Sequence, residues 1–300
     1  MEKRKILLHA PAKINLFLHV LGRRSDGYHD IETWMQKIDL FDIITLEITA
    51  GSTINFSCSD PEIPAGEGNL AVRAAMVFCS SLGLNEVVGI KISLDKKIPV
   101  AAGLGGGSSD AGTVLKGLNE LFDQPFTNQE LILIGRSLGA DVPFFAVEHE
   151  AVIARGIGDI MHPVSSLNDC TFVLVNPGFF VSTRWAFENL SLTRAGKKYN
   201  LSCFRNHKND SPSLAEMHND LEECTCTKYP EVADMKRQLL DLGASGVLMS
   251  GSGPTVFGVF PDSGKLANSC FDSIRNRLCR KFGNRVFVTR AVGAGAWPSG

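Results

Sequence analysis

The sequence predicts an α+β protein, because segments with strand periodicity and segments with helical periodicity are found in both halves of the chain. In the first half, apolar residues alternate with polar or small ones over 88–94, as in a strand, and then recur at helical spacing over 111–122. In the second half, an amphipathic helix over 230–242 is followed by strand-like runs. A further helix near 265–280 and a strand over 286–291 end the pattern.

Length and composition limit the classes of protein to consider. The 300 residues form one large or two moderate domains, and 44% hydrophobic with 21% charged residues is ordinary for a globular enzyme. A net charge of -2 argues against a nucleic acid as the main partner, because such proteins usually carry a basic excess.

Neither a membrane span nor a disulfide framework is expected. The opening residues 1–8 imitate a signal peptide, but His9, Lys13 and Asn15 interrupt the apolar run, and no run approaches the roughly 18 apolar residues of a span. The eight cysteines form no C-x-x-C pair, so free thiols in a reducing compartment are expected. We therefore expect a cytoplasmic protein that does not bind membranes.

A glycine-rich loop lies between the strand and the helix of the first half. Residues 98–111 read I-P-V-A-A-G-L-G-G-G-S-S-D-A. Small residues that lead into a helix leave backbone N–H groups at its positive end, which suits a phosphate. A Walker loop would need a Gly-Lys-Ser/Thr ending, and a dinucleotide fingerprint would need glycine where Ser108 stands. A flexible surface loop is the remaining alternative. Lys96 and Lys97, just before the loop, are either a solvated strand end or a pair near a nucleotide.

The first strand carries two polar residues on one face. Over 12–20 the even positions are apolar, and Lys13 and Asn15 lie together on the other face, which either meets water or forms part of a site. A Ser-Asp-Gly turn at 25–27 then presents Tyr28 and His29, for which plain packing is the alternative to ligand contact.

An aspartate follows a predicted helix that opens with the capping box Thr127-x-x-Glu130. Asp141 stands in L-G-A-D-V-P, an apolar setting where little access to solvent is expected. A carboxylate there needs a cationic or hydrogen-bonding partner, so either a structural or a catalytic role is open. Asn69 is placed either as a helix N-cap or as a ligand contact.

Two further segments carry open interpretations. The run 218–222, His-Asn-Asp-Leu-Glu, contains metal-ligand types, but a helix N-cap at Asn219 or Asp220 is favoured. The segment 250–255, Ser-Gly-Ser-Gly-Pro-Thr, lies between two strand-like runs, which is typical of a hairpin turn.

Six motifs in order resemble one kinase superfamily, named for galactokinase, homoserine kinase, mevalonate kinase and phosphomevalonate kinase. They are P-A-K-I-N-L, G-Y-H, G-L-G-G-G-S-S, L-G-A-D-V-P, N-P-G and G-S-G-P-T. The resemblance implies that the last of these motifs is a turn that closes over the phosphate region, the alternative to a plain hairpin turn. The G-R-R-S-D-G-Y-H segment is most similar to the branch that phosphorylates the 2-hydroxyl of a cytidine-diphosphate-linked branched polyol, 4-diphosphocytidyl-2-C-methyl-D-erythritol, with ATP and Mg²⁺.

The resemblance implies a fold and a division of the chain. It implies two α+β domains with the active site between them, the first like ribosomal-protein S5 domain 2 and the second ferredoxin-like. We place the ATP-binding and catalytic domain at 1–163 and the substrate-side domain at 164–300. A kinase for another small alcohol, such as homoserine or mevalonate, and a non-catalytic nucleotide-binding regulator are the alternatives.

The resemblance also implies roles for individual residues. Asp141 is the catalytic base, and Lys13 keeps it ionised and stabilises the transferred phosphoryl group. The predicted substrate contacts are Asn15, Tyr28, His29, Thr183 and Phe187, where Tyr28 and Phe187 stack on the cytosine and His29 reads its polar edge. Ser108 and Ser109 are the candidates for Mg²⁺. The predicted ATP contacts are Asn69, Pro99, Val100, Ala101, Ala102, Gly103, Leu104, Gly105, Gly106, Gly107, Ser108 and Ser109.

Overall fold

The structure is a computed structural model that describes residues 4–84, 87–190, 214–262 and 268–293. The polar stretch over 193–210, rich in Lys, Asn and Arg and expected from the sequence to be an exposed excursion, lies outside the described residues. The strands are β1 Lys5–Arg23, β2 His29–Thr49, β3 Ile54–Cys58, β4 Gly89–Asp95, β5 Ala151–Gly156, β6 Ile160–Pro163, β7 Cys170–Val175, β8 His218–Asn219, β9 Gly246–Met249, β10 Val256–Pro261 and β11 Val286–Arg290. The helices are α1 Leu70–Ser81, α2 Gly106–Leu121, α3 Asn128–Arg136, α4 Val142–Ala146, α5 Thr183–Glu188, α6 Glu222–Lys228, α7 Pro230–Asp241 and α8 Asn268–Phe282.

A seven-stranded sheet forms the first half of the fold. Its main path runs β3-β4-β2-β1-β8, and β5 and β6 continue from the other part of β2. The long strands β1 and β2 pair antiparallel over nearly their whole length, so β1 carries residues from the sheet edge to the centre of the molecule. The strand predicted over 12–20 is therefore confirmed as the middle of β1.

Helices α1, α2 and α3 pack on this sheet around one hydrophobic cluster. Ala71, Ala75 and Phe78 from α1 meet Val114 and Leu118 from α2 in that cluster. Helix α3 begins with the predicted capping box, in which the Thr127 hydroxyl and the Glu130 carboxylate bond each other's backbone N–H groups. The predicted helix ends at Arg136, before Gly139.

The second half is built on a four-stranded antiparallel sheet in the order β11-β7-β10-β9. In the chain these strands alternate with helices as β7, α6 and α7, β9, β10, α8 and β11, which is the β-α-β-β-α-β order of ferredoxin-like domains. The fold class predicted from the sequence, α+β in two halves, is confirmed by both sheets.

The two halves meet along a shared apolar cluster. Phe17 and Trp34 from the first sheet pack in it with Phe172, Leu174 and Phe257 from the second. Within the described ranges, no helix combines the length and apolar character that crossing a membrane requires. All cysteines in those ranges are free thiols.

Candidate active site

The glycine-rich loop lies directly before helix α2 and is held in a left-handed backbone conformation. Gly103 has φ +77° and Gly105, the N-cap of α2, has φ +73°. A β-carbon on Gly105 would lie 3.0 Å from the Phe145 ring and 3.1 Å from Lys13 Cγ. These conformations require glycine, and they leave the first N–H groups of α2 at the positive end of a 16-residue helix.

The turn over 250–255 packs against the back of this loop. The Ser250 hydroxyl donates a hydrogen bond of 2.9 Å to the Gly103 carbonyl. A β-carbon on Gly103 would lie 2.1 Å from the Ser250 carbonyl oxygen, so the two backbones are in van der Waals contact. The Thr255 N–H also donates to the Ala102 carbonyl at 3.3 Å. The structure bears out both interpretations, because the segment is the hairpin turn between the antiparallel strands β9 and β10 and also covers the glycine-rich loop.

The loop residues divide into those that face outward and those that anchor it. Ala102 and Leu104 are buried, whereas Val100 is 55% exposed. Ser109 is fully buried, its hydroxyl donates to the Pro11 carbonyl at 2.6 Å, and its N–H bonds to Gly105. The structure therefore gives Ser109 a supporting role instead of the predicted ligand contact. The outward-facing candidates are Pro99, Val100, Ala101, Gly103, Gly105, Gly106, Gly107 and Ser108.

Strand β1 delivers Lys13 and Asn15 to this loop. The Lys13 N–H donates to the Leu104 carbonyl at 2.9 Å, which ties the strand to the loop. The Lys13 ammonium donates to the Asn15 side-chain oxygen, and the Asn15 amide donates to Thr33 Oγ1 at 2.8 Å. Lys13 and Asn15 are 4% and 2% exposed. Their polar face of β1 is therefore enclosed in protein and does not form a solvent-facing side of the sheet.

Asp141 lies beside this lysine, as the sequence resemblance implied. Lys13 Nζ and Asp141 Oδ2 are 3.7 Å apart. Asp141 immediately precedes the short helix α4, and its side chain is 34% exposed. The expectation of a carboxylate with little solvent access was therefore wrong, because Asp141 is at the mouth of the site while its neighbours Val142 and Pro143 are buried. That position leaves one side of the carboxylate open to a ligand.

A buried ion triad lies beneath the loop, and sequence reasoning missed it. The Lys96 ammonium contacts the Asp42 carboxylate and, at 2.8 Å, the Asp110 carboxylate. All three side chains are at most 6% exposed. The sequence suggested a solvated lysine pair or a nucleotide contact at 96–97. The available signal was the position of Lys96, two residues before Ile98. That position did not indicate its partners, because Asp42 and Asp110 are distant from it in sequence.

The triad holds the entrance to the loop in place. Asp42 Oδ1 accepts hydrogen bonds from the Lys97 and Ile98 N–H groups at 2.6 and 2.8 Å. Burial, with a further contribution from Asp42, raises the pKa of Asp110 to about 7 although Lys96 opposes it. Although burial opposes protonation of Lys96, the two carboxylates raise the pKa of its ammonium.

Of the other predicted substrate residues, Tyr28 and His29 lie at the turn between β1 and β2, and Thr183 and Phe187 lie on α5. Tyr28 is 59% exposed after the predicted turn. The His29 and Phe187 rings stack, with centroids 5.0 Å apart and planes 23° apart. Burial, and then the charge of Arg23, lowers the pKa of His29, which favours a neutral ring that can both donate and accept at a base edge.

Two of the other aromatic residues of this segment have packing partners elsewhere, and Phe180 is 71% exposed. Phe179 stacks on Tyr229 with centroids 4.8 Å apart, and Trp185 meets the same ring edge-on. Phe187 is therefore the aromatic residue of 179–187 that the structure pairs with His29. Thr183 begins α5, and its hydroxyl lies 3.0 Å from the Ser252 hydroxyl in the covering turn.

Asn69 has a clear structural role. Its side-chain oxygen accepts the Ala71 N–H at 2.8 Å as the N-cap of α1, and its amide donates to the Pro64 carbonyl at 3.0 Å. The N-cap interpretation is confirmed, and the contact with adenine stays a prediction. The N-cap predicted for Asn219 or Asp220 was wrong, because α6 begins at Glu222 after Leu221.

Comparison with known families identifies the two halves. Residues 69–149 match the description GHMP kinases N terminal domain, and residues 201–284 match GHMP kinases C terminal. The first match contains the glycine-rich loop and Asp141, and the second contains the covering turn.

Similar proteins cover almost the whole chain. A 4-diphosphocytidyl-2-C-methyl-D-erythritol kinase from Desulfotalea psychrophila is 50% identical over 96% of this chain and 96% of its own length. Another, from Syntrophotalea carbinolica, is 46% identical over 94% of this chain and 98% of its own.

Solved structures agree with the sequence matches. A crystal structure of 4-(cytidine 5'-diphospho)-2C-methyl-D-erythritol kinase superposes with a TM-score of 0.74 at 32% identity, over 96% of this chain and 100% of that one. A homoserine kinase from Cytophaga hutchinsonii has a TM-score of 0.71 at 20% identity, over 97% and 96% of the two chains, which shows the shared fold alone. The chain therefore belongs to the GHMP kinases and, within them, to the 4-diphosphocytidyl-2-C-methyl-D-erythritol kinase family.

Proposed function

We propose that this protein transfers the γ-phosphoryl group of ATP to the 2-hydroxyl of 4-diphosphocytidyl-2-C-methyl-D-erythritol, a step in non-mevalonate isoprenoid precursor biosynthesis. The observation that carries the proposal is the 3.7 Å approach of Lys13 Nζ to Asp141 Oδ2, next to the glycine-rich loop. Phosphoryl transfer needs an acceptor hydroxyl, stabilisation of charge on the phosphoryl group and a proton acceptor. Asp141 supplies the proton acceptor, and Lys13 and the glycine-rich loop supply the stabilisation of charge. The hydroxyl comes from the substrate.

The proton and the phosphoryl group have separate partners in this mechanism. The oxygen of the substrate 2-hydroxyl forms a bond to the γ-phosphorus, and the bond between the γ-phosphorus and the oxygen that leaves with ADP breaks. Asp141 accepts the proton that the hydroxyl loses. The Lys13 ammonium, buried and held by Asn15, stabilises the negative charge of the phosphoryl group and lies 3.7 Å from the Asp141 carboxylate. Loop N–H groups from Gly103 to Ser108 bind the remaining phosphates.

The residues at the loop fit a magnesium ion that is held mainly by phosphate oxygens and water. Mg²⁺ prefers hard oxygen ligands and keeps several waters. Ser109 is committed to Pro11, and Asp110 to Lys96, so the half-buried Ser108 is the candidate protein ligand. Mg²⁺ supplies neutralisation of phosphate charge, and the chain's own residues position the hydroxyl.

The cytidine group provides the proposed basis for selecting this alcohol. Tyr28 and Phe187 stack on the base, and a neutral His29 reads its edge. Asn15 and Thr183 contact the polyol part. An aromatic stack on a base contributes about 1–3 kcal/mol, which is enough to distinguish this substrate from alcohols without a base.

We also expect the enzyme to work in the cytoplasm, and we place the ATP-binding domain at 1–163 and the substrate-side domain at 164–300.

The proposal is tested by phosphorus NMR of the purified protein with ATP, Mg²⁺ and one alcohol at a time. We expect a phosphomonoester signal and ADP with the cytidine-linked alcohol, and neither with homoserine or mevalonate. Turnover of homoserine or mevalonate alone would assign a different kinase of this fold. ATP binding without product from any alcohol would support a non-catalytic regulator.

A further inference from the structure

Two histidines and an aspartate form a cluster away from the Lys13–Asp141 pair. His19 comes from β1, and His218 and Asp220 come from β8 and the residue after it. One potential ligand atom from each residue lies within 4.8 Å of the other two. No step of the proposed phosphoryl transfer uses these side chains, and the helix cap that was predicted for this segment is absent from α6.

The backbone positions the cluster by pairing two distant parts of the chain. Strand β8 pairs parallel with β1, with Leu18 opposite Asn219. The Asp220 N–H continues this ladder by donating to the Leu18 carbonyl at 3.0 Å. The His19 and His218 rings consequently stack, with centroids 5.1 Å apart and planes 18° apart. Both imidazoles therefore lie on the same side of this strand pair.

The carboxylate of the cluster is oriented by the backbone. Asp220 Oδ2 accepts the Val20 N–H at 2.7 Å, and Asp220 Oδ1 lies 2.7 Å from His218 Nε2. A carboxylate with one oxygen held by an N–H group presents its other oxygen in a fixed direction. Such supporting hydrogen bonds are typical of ligands at protein metal sites.

Burial and charge also suit a cation. His19 is 7% exposed, while the Asp220 and His218 side chains are 14% and 37% exposed, so the cluster is enclosed at one end and open to solvent at the other. Glu32 lies opposite His19 in the β1–β2 register and is itself buried. The carboxylate of Glu32 is paired with Arg155, which leaves Asp220 as the acidic ligand.

We propose that His19, His218 and Asp220 bind one Zn²⁺ ion, with water in the fourth position. Two imidazoles and a carboxylate are a donor set that zinc accepts. Bonds of about 2.0–2.2 Å from zinc to nitrogen or oxygen, in tetrahedral geometry, place the ligand atoms roughly 3.4 Å apart. Two ligand atoms that lie up to 4.8 Å apart here must therefore approach each other by about 1.4 Å at most, which side-chain rotation can provide.

The bound ion joins the two halves of the chain, because its ligands come from β1 and from the segment around β8. Between its ligands, Asn219 donates from its amide to the Met249 and Gly251 carbonyls, both at 2.8 Å. Those carbonyls belong to the end of β9 and to the covering turn that packs on the phosphate loop. The ion therefore fixes β1 to that turn without contacting the reacting groups.

The test is metal binding by the full-length protein after removal of metal with a chelator. Zn²⁺ is titrated against a chromophoric chelator, and Co²⁺ is added separately to record its absorption spectrum. We expect one ion per chain, a tetrahedral Co²⁺ spectrum without thiolate charge-transfer bands, and a melting temperature raised by about 4 °C at a hundredfold excess over Kd.

Three variants locate the ion. His218→Ala and Asp220→Asn should each weaken Zn²⁺ binding by more than about tenfold and abolish the shift in melting temperature. The asparagine keeps an oxygen for the Val20 N–H, so this fold contact is preserved. His162→Ala, which removes an exposed histidine on β6, is the matched control and should bind as the wild type does.

Each alternative result would overturn the proposal. Wild-type protein that takes up no Zn²⁺ shows that the three side chains form only a hydrogen-bonded and stacked cluster. Equal binding by wild type, His218→Ala and Asp220→Asn places the ion elsewhere. Thiolate bands with Co²⁺ that persist in both variants assign the ion to cysteines.

Discussion

Lys37 is fully buried beneath α4, the helix that follows Asp141. Replacing it tests whether burial lowers the pKa of its ammonium and so destabilises the fold near neutral pH. Its Nζ donates to the Val147 carbonyl at 2.7 Å and lies 4.8 Å from the centre of the Phe144 ring. Burial, and then the charge of Lys116, lowers the pKa of Lys37 to about 7 from its usual value of 10.5.

The sign of the effect follows from proton linkage. Because the pKa is lower in the folded state, the unfolded chain binds more protons between about pH 7 and pH 10.5, and the free energy of unfolding rises with pH across that window. The cost of the buried lysine is absent above pH 10.5 and complete below pH 7. A shift from 10.5 to about 7 corresponds to roughly 4–5 kcal/mol as an upper limit.

Lys37→Met removes this proton while keeping a straight side chain of similar length. The loss of the hydrogen bond to Val147 costs about 1–3 kcal/mol, so near pH 7 the variant should be equal to the wild type or more stable by about 1–3 kcal/mol. Near pH 10 that advantage should disappear, since the wild-type lysine is neutral in the folded state. The pH dependence of the difference is the decisive quantity.

Urea unfolding at pH 7 and pH 9.5 measures that quantity for both proteins. We expect the variant's advantage to fall by about 1 kcal/mol for each pH unit over most of this range. Lys91→Met, at an exposed position on β4, is the control and should change stability equally at both pH values. An equal effect of Lys37→Met at both pH values would refute the lowered pKa.

Three further predictions concern the active site. Asp141→Asn should lower kcat by about a hundredfold or more while the Kd for ATP stays within about threefold, and turnover near the wild-type rate would remove Asp141 as the base. Tyr28→Ala should raise KM for the cytidine substrate by about 5- to 150-fold without changing KM for ATP, whereas Tyr28→Phe keeps the stack; an unchanged substrate KM would place the ring elsewhere. Gly103→Ala puts a β-carbon 2.1 Å from the Ser250 carbonyl at φ +77°, so it should lower the melting temperature by several degrees and weaken ATP binding. Gly107→Ala, whose β-carbon would lie at an ordinary contact distance of 3.9 Å from Leu70 Cδ1, should leave the melting temperature unchanged, and equal melting temperatures for both variants would contradict the close packing of the loop and the turn.

Local patterns were sufficient to predict the elements that carry the candidate site. The loop glycines and the alternation of β1 are readable along the chain, because both depend on residues a few positions apart. The pairing of Lys13 with Asp141 was expected only through the resemblance, since 128 positions separate them in the sequence. The structure then places their charged groups 3.7 Å apart.

The features that sequence missed depend on long-range burial. Lys96 was placed at a solvated strand end or near the nucleotide, but Asp42 and Asp110 enclose it in the fold. Nothing near Lys37 in sequence indicates that β2 carries it to the centre of the molecule. Asp141 was expected to be shielded because its neighbours are apolar, and only the placement of α4 shows that it opens toward solvent.

The most direct test of the mechanism is a crystal structure of the protein with a non-hydrolysable ATP analogue, Mg²⁺ and the cytidine-linked alcohol. We predict the substrate 2-hydroxyl within about 3 Å of the Asp141 carboxylate and in line with the γ-phosphorus, with Lys13 Nζ on a γ-phosphate oxygen. A 2-hydroxyl that points away from Asp141, or a triphosphate bound outside the glycine-rich loop, would contradict the mechanism.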